Sequence, residues 1–234
     1  MSLKSCRNVI DGSFRACIRD ARQVDYLLDR DPFEAVLWPR GKKPKPDPFT
    51  EPERDTIIAA FAKKSPFYVP FIHTLFWTGA RPSELLALTW GDVDLRFGFM
   101  MIDKSRYIEE EGAPKTEGSN RQLKLLPSVV EDLKSLKPVH VTEKSYVFLN
   151  KEGNLLKFHT WRGGIWYRIL RGLEIRPRRP YCTRHTFISA GLSNGVNISG
   201  LPNIAALQLR RSSGIMANTS RAMQPSSWQH WLEP

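Results

Sequence analysis

Two short stretches, about a hundred residues apart, hold the side chains best suited to chemistry. TGARPSELL at residues 78–86 contains Arg81, and YCTRHTF at residues 181–187 contains Arg184. Each arginine lies in an apolar or small-residue context typical of a helix start, which directs a guanidinium toward an external anion. Two planar, permanently charged groups on one phosphate stabilise the charge that develops in metal-free phosphoryl transfer. If the fold brings the two arginines together, the sequence predicts a site for DNA strand transfer.

The net charge also indicates a polyanionic partner. The 234 residues carry a formal charge of +11, and the pI is near 9.8. From His159 to Pro234 there are ten arginines, no lysine and two acidic residues. A surface that serves only solubility, the alternative explanation, would mix both signs of charge, whereas arginine suits bidentate contacts to phosphates. We therefore expect double-stranded DNA as the partner.

The remaining composition favours a globular protein of the cytoplasm. Hydrophobic residues make up 41% of the chain and charged residues 25%, so disorder throughout is not expected. Cys6, Cys17 and Cys182 are odd in number and irregularly spaced, which indicates reduced thiols and not a disulfide framework or metal site. The sequence has no membrane-spanning apolar run and no signal-peptide core. We expect a soluble protein with no membrane contact, metal or cofactor.

Proline and basic residues mark a domain boundary. Residues 1–38 have helical periodicity but cannot bury their apolar stripe alone. Residues 39–48, PRGKKPKPDP, form a Pro-rich basic linker, and residues 49–234 form the main domain. The linker is either an ordinary surface loop or a segment that crosses the DNA backbone through Lys42, Lys43 and Lys45.

Local signals predict the elements that must position the two arginines. Thr50 and Glu53 form a capping box at a helix start. The apolar residues 67–77 form a buried helix that ends at Thr78-Gly79, and Pro82 opens a further helix to Leu88. The other predicted elements are strands within 92–102 (with a turn at 96–98), 106–110, 121–126 and 146–149, a loop at 111–120, a helix over 129–136, and helical structure beyond residue 153 as far as 194–195. The predicted class is mainly α with a small antiparallel β-sheet.

The order of these motifs identifies a family. The Arg81 stretch, LTWGDVD at 88–94, Lys115-Thr116 followed by Arg121, and Tyr-x-x-Arg-His-Thr-Phe resemble the catalytic domain of tyrosine recombinases, or phage integrases, over residues 48–220. Residues 1–38 resemble the end of the helical core-binding domain that precedes it. In such enzymes a tyrosine attacks a DNA phosphate, giving a 3′-phosphotyrosine and a free 5′-hydroxyl without a metal.

The resemblance implies roles for four residues. Arg81 and Arg184 would hold the non-bridging oxygens of the scissile phosphate. Lys115 would protonate the leaving 5′ oxygen, although in isolation it would be a solvated loop lysine. Tyr181 stands where the family usually has a histidine, so it either donates a hydrogen bond to phosphate or packs, since a phenol is a poor proton shuttle.

Two neighbouring residues have structural alternatives. Glu84 either orients Arg81 or is a first-turn residue favoured by the helix dipole. His185 is expected to support its helix by packing and hydrogen bonding.

The expected nucleophile is missing. The family shows Leu-Gly-His-Ser and then a tyrosine nine residues after the histidine. In QLRRSS at 208–213 the histidine position holds Arg211, and the tyrosine position falls on Ser220. Serine is a weaker and shorter nucleophile, and no tyrosine follows Tyr181. The tail from Met216, rich in Ser, Gln, Asn and Pro, resembles a frame-shifted or decayed end.

These observations predict an integrase-like, site-specific recombinase whose catalysis is impaired or absent. The alternative is a non-catalytic DNA-binding module derived from an integrase. Besides the linker lysines, the predicted DNA contacts are Arg121, Arg178 and Arg179. Members of the family usually work as tetramers, so the resemblance implies a homo-oligomer on DNA.

Overall fold

The computed structural model describes residues 3–24, 46–107, 110–112 and 120–194. Contacts within the chain divide it into two units, Met1–Pro44 and Lys45–Pro234. This division falls inside the predicted linker 39–48, and the assignment of the units to a core-binding remnant and a catalytic domain stays a prediction.

The described part of the first unit is helical. Helix α1 (Leu3–Asn8) continues through a π-helical segment, Val9–Phe14, into α2 (Arg15–Gln23). Arg7 and Arg15 both pair with Asp11, one helical turn away on either side. The rest of the predicted helical stretch 1–38 lies outside the described residues.

The second unit is mainly helical with a small antiparallel sheet, which confirms the predicted fold class. Its helices are α3 (Glu51–Lys64), α4 (Val69–Thr78), α5 (Pro82–Ala87), α6 (Pro127–Leu136), α7 (Phe158–Trp161), α8 (Tyr167–Gly172) and α9 (Cys182–Ser193). Helix α4 is buried over most of its length and packs against α3, α6 and α9. Around it lies an aromatic core that includes Phe49, Phe61, Phe71, Phe76, Trp161 and Trp166.

The predicted start of α3 is confirmed. The Thr50 amide donates to Glu53 Oε2 over 2.7 Å, and the Glu53 amide donates to Thr50 Oγ1 over 3.3 Å. These two bonds satisfy amides that the first turn of a helix would otherwise leave without partners. Phe49, directly before the cap, is thereby fixed against Phe76 and Trp166.

The sheet has three antiparallel strands in the order β1 (Val93–Asp94), β2 (Phe99–Ile102) and β5 (Arg121–Lys124). Its register places Met100 opposite Leu123 and Ile102 opposite Arg121. The buried side chains of β5 are Arg121 and Leu123, so this strand directs an arginine and a leucine to the same side.

Two strand predictions were wrong. Two short strands, β3 (Ser105–Tyr107) and β4 (Glu110–Gly112), pair in antiparallel orientation where a single strand over 106–110 was predicted. Residues 146–149 make only isolated bridges, at Tyr146 and Leu149. In both cases the strand pairing depends on a partner that composition along one segment does not reveal.

The predicted helical structure beyond residue 153 is interrupted. Helices α7 and α8 join through a π-helical segment, but residues 173–181 are not helical before α9 begins. Glu174 has a positive φ of 57°. Pro177 and Pro180 lack an amide hydrogen and disfavour helical backbone in the residues before them. The interruption sets the position of Arg184 in the first turn of α9.

Among the residues that the structure describes, no helix combines the length and the apolar character needed to cross a membrane.

Gly79 determines how closely the end of α4 packs against α9. It ends α4 in the left-handed conformation, with φ of 62°, which glycine adopts without steric cost. A Cβ at this position would lie 2.5 Å from Cδ1 of Phe187 on α9. The missing side chain therefore allows the turn and the close packing of the two helices.

We expect Gly79→Ala to lower the free energy of unfolding by about 3 kcal/mol, because it combines left-handed strain with overpacking against Phe187. Gly153→Ala is the matched control, since Gly153 has φ of 77° but a Cβ at that position would meet nothing within 4 Å. That control should lose only about 1 kcal/mol. Urea unfolding followed by circular dichroism measures both variants, and equal losses would contradict the role of Phe187.

Candidate functional site

The turn between α4 and α5 brings the two predicted arginine stretches together. Arg81 is the residue immediately before α5, and Arg184 lies in the first turn of α9. The Arg184 Nη1 group donates to the carbonyl oxygen of Gly79 over 2.5 Å. The two stretches thus meet at the end of α4, although Gly79 and Arg184 are 105 residues apart.

Glu84 on α5 lies between guanidinium groups. Its Oε1 accepts a hydrogen bond from Arg81 Nη1 over 2.6 Å, and its Oε2 accepts one from the Arg81 backbone amide over 2.7 Å. The Glu84 side chain is 3% exposed and that of Arg81 is 33% exposed. Glu84 therefore orients Arg81, one of the two alternatives considered from the sequence, and Arg81 keeps access to solvent.

Arg121 on β5 holds the same carboxylate from a distant part of the sequence. Its Nη2 donates to Glu84 Oε2 over 2.7 Å, and its Nη1 lies 3.3 Å from Oε1. The Arg121 side chain is only 3% exposed. Arg121 was predicted to contact DNA, but this burial favours a role inside the site.

The site has more positive than negative charge. Its three arginines, Arg81, Arg121 and Arg184, surround one described carboxylate. Burial raises the pKa of Glu84, but the hydrogen bonds and charge of Arg121, together with the hydrogen bonds of Arg81, outweigh burial and hold the pKa below the ordinary value of 4.5. Burial, together with the charge of Arg81, lowers the pKa of Arg184 to about 10. The negative charge of an anion bound here would stabilise the charged form of Arg184 and counter the repulsion from Arg81.

Tyr181 and His185 complete the described part of the site. Their rings meet edge to face, with centroids 5.3 Å apart. The Tyr181 hydroxyl also interacts with Arg81, and together with Glu84 it raises the Arg81 pKa against the opposing effect of burial. Burial and the charge of Arg184 lower the pKa of His185, which favours the neutral form of this imidazole. A neutral His185 agrees with its expected packing role.

Arg178 and Arg179, both predicted to contact DNA, lie in different environments. The Arg178 side chain is 8% exposed and pairs with Asp47 and Glu53, and its guanidinium stacks over the Phe49 ring at 4.7 Å. Arg179 is exposed. Arg178 therefore fastens the segment before α3 to the segment before α9, whereas Arg179 is accessible to a ligand.

Six predicted site residues lie outside the described residues: Lys42, Lys43, Lys45, Lys115, Arg211 and Ser220. Their roles stay predictions. Within the described ranges, no group of three or more His, Cys, Asp or Glu side chains could hold a metal ion.

Sequence reasoning missed the pairing of Arg121 with Glu84. A signal for it was present, because Arg121, Leu123 and Leu125 alternate along one segment. Since Leu123 and Leu125 are apolar, a strand through these residues places Arg121 on the buried face. A buried arginine requires a carboxylate partner, and the motif around Arg81 contains one.

Comparison with known proteins identifies the class to which this fold and site belong. Residues 49–206 match the phage integrase family, and the chain belongs to that family. This result confirms the resemblance drawn from the arginine motifs.

Two curated relatives come from Escherichia coli strain K12. The prophage integrase IntR is 28% identical over 204 residues, which cover 77% of this chain and 49% of IntR. IntQ, whose name describes it as defective, is 27% identical over 205 residues, covering 76% of this chain and 50% of IntQ. The chain thus spans about half the length of these relatives.

A solved structure shares the fold. The Tn1549 transposon integrase in complex with a circular intermediate DNA aligns with a TM-score of 0.73 at 20% identity. The alignment covers 98% of this chain and 79% of the integrase.

We expect Glu84→Gln to lower the free energy of unfolding by about 3 kcal/mol at pH 7, because it leaves the buried Arg121 charge without its anionic partner. Glu131→Gln is the matched control: Glu131 is 70% exposed and pairs with Lys134 on the surface of α6. That control should change stability by less than about 0.5 kcal/mol. Urea unfolding measures both.

The loss of unfolding free energy in Glu84→Gln should become smaller as the pH falls. Because the pKa of Glu84 lies below 4.5 in the folded protein, its ion pairs stabilise the fold fully above that pH. This stabilisation is lost as the pH falls through the lower folded-state pKa. The deficit of the variant should therefore be constant near neutral pH and shrink below pH 4.5; a deficit that persists unchanged in acid would contradict the ionic role of Glu84.

Proposed function

We propose that this chain is an integrase-like protein that binds double-stranded DNA and acts on its phosphodiesters in site-specific recombination, with strand transfer impaired. The observation that carries the proposal is the convergence of Arg81 and Arg184 around Gly79, with Glu84 and Arg121 behind them. Membership in the phage integrase family supports the same function.

The proposed chemistry follows from the charges of the site. Arg81 and Arg184 would each bind a non-bridging oxygen of the scissile phosphate and stabilise the charge of the pentacovalent transition state. The Tyr181 hydroxyl, which already interacts with Arg81, would donate a further hydrogen bond to the phosphate. Lys115 would give its proton to the 5′ oxygen as the P–O5′ bond breaks.

The candidate nucleophile is the group least suited to strand transfer. Strand transfer requires an oxygen that attacks phosphorus opposite the leaving 5′ oxygen. The sequence has no tyrosine after Tyr181, and the family register puts Ser220 at the nucleophile position. A serine there lacks the reach and acidity of a phenol. We infer that strand transfer by this chain is impaired or absent.

The second candidate function is a non-catalytic DNA-binding module. It is favoured by the same combination, a strongly positive chain with arginines clustered around Glu84 and Gly79 but without a tyrosine in the expected position. The two candidates differ in one measurable property, the formation of a covalent protein–DNA bond.

Binding to duplex DNA tests what the two candidates share. We expect binding at about 50 mM salt, with an affinity that falls linearly on a log–log plot of salt concentration. Arg184→Gln should weaken binding about tenfold, since it removes a charged contact to phosphate. Arg96→Gln removes the same charge from an exposed turn and should weaken binding only about twofold. Fluorescence anisotropy measures all three proteins.

The outcomes separate folding from function. Circular dichroism must show the wild-type helical signal for each variant. If Arg184→Gln fails to fold, Arg184→Lys, which keeps the buried positive charge, is measured in its place. Equal weakening by the Arg184 and Arg96 variants would mean that the pocket does not bind DNA. The absence of any binding at low salt would overturn both candidate functions.

A covalent-trapping experiment tests the impairment. The chain is incubated with a pool of duplexes of random sequence, each nicked so that the 5′ product diffuses away, and adducts are sought on denaturing gels. We expect no adduct. An adduct would contradict the impairment, and its loss in Ser220→Ala or in Tyr181→Phe would identify the attacking oxygen. Ser220→Tyr, which restores a phenol at the family position, is the matched gain-of-function variant.

A further inference from the structure

The two oxygens of Glu84 are shared unequally between its arginine partners. Oε2 accepts from the Arg81 backbone amide and from Arg121 Nη2, each over 2.7 Å. Oε1 accepts from Arg81 Nη1 over 2.6 Å, with Arg121 Nη1 at 3.3 Å. The Arg81 guanidinium therefore engages this carboxylate through one nitrogen, Nη1, whereas Arg121 faces both oxygens.

This arrangement differs from the preferred geometry of an arginine beside a carboxylate. An isolated pair tends to form two parallel hydrogen bonds, which occupy a whole edge of the guanidinium. If Arg81 formed such a pair with Glu84, that edge would be lost to any external anion. Arg121 Nη2 and the Arg81 amide together occupy the oxygen that a bidentate pair would need.

We propose that Arg121 is a positioning residue that holds Glu84 so that Arg81 keeps a guanidinium edge available for a phosphate oxygen. The choice of phosphate as the anion rests on the proposed function. The geometry of the three side chains does not depend on it.

The hydrogen bonds of Arg121 support this division of roles. Both of its terminal nitrogens face the oxygens of Glu84, so they are engaged by the carboxylate. Burial by itself does not separate the roles, because Arg184 is also only 3% exposed. The Arg81 side chain is 33% exposed. Arg121 would thus act on phosphate binding only through Glu84 and Arg81. A site of this kind requires its supporting residues to fix the orientation of those that touch the ligand.

The first test needs no ligand. In the full chain labelled with ¹⁵N, rotation about the Nε–Cζ bond of Arg81 is followed through its guanidinium signals, assigned with Arg81→Lys. Arg121→Met should slow this rotation at least about threefold, because Arg81 then pairs with both oxygens of Glu84. Arg54→Met is the matched control, since Arg54 is a buried arginine that pairs with Asp55 on α3. Unchanged rotation in Arg121→Met would overturn the proposal.

The second test measures binding of inorganic phosphate by calorimetry at low salt. Arg121→Met should raise the Kd about tenfold. Arg121→Lys keeps the charge but cannot face both oxygens at once, so its Kd should stay about threefold above that of the wild type. Arg54→Met should bind as the wild type does. If Arg121→Lys binds phosphate with the Kd of the wild type, the charge at position 121 alone explains the effect on binding. That result would overturn the positioning role.

The two tests also distinguish this inference from the proposed function. If Arg184→Gln binds inorganic phosphate as tightly as the wild type, the pocket is not the phosphate site and the proposed function fails. The rotation of Arg81 in Arg121→Met still decides the role of Arg121 in that case. If Arg121→Met loses its fold by circular dichroism, Arg121→Lys provides the rotation measurement, with a slowing of about twofold expected and unchanged rotation overturning the inference.

Discussion

The Glu84 carboxylate is the group on which the arrangement of the site depends. A buried charge is tolerated only where partners of the opposite sign and hydrogen bonds replace water. Glu84 meets this condition through Arg81 and Arg121. It thereby joins the start of α5 to strand β5 of the sheet, and it offsets part of the repulsion that Arg184 experiences. Without this carboxylate the repulsion between the guanidinium groups would not be offset in this way.

The surrounding fold brings these charges together from distant parts of the sequence. The left-handed turn at Gly79 ends α4, presents its carbonyl oxygen to Arg184, and leaves room for Phe187. Strand β5 supplies Arg121 from the buried side of the sheet. Backbone conformation, helix packing and sheet register must therefore all be correct before these arginines meet. The arrangement is set by the fold itself and does not depend on a bound anion.

Features with local causes could be predicted from the sequence. The capping box at Thr50, the helix start at Pro82 and the stop at Gly79 each depend on a few adjacent residues, and they formed as expected. Features that depend on distant partners could not. The pairing of β3 with β4 and the burial of Arg178 require knowledge of the opposite strand or of Asp47 and Glu53. Arg121 is an intermediate case: its alternation with Leu123 and Leu125 indicates burial, but its partner Glu84 lies in a distant part of the sequence.

The contacts of the segment just before α3 also determine where a mechanical load on the backbone would enter this unit. Arg178 and the exposed Arg176 both pair with Asp47, and the Phe49 amide donates over 2.8 Å to Thr186 Oγ1, two residues beyond Arg184. A tensile load that travels along the backbone into residue 46 would therefore reach α9 within three residues, before it reaches α3. A pull on the preceding chain would thus act first on the segment before α9, through Asp47, and then on α9, the helix that carries Arg184, through Phe49.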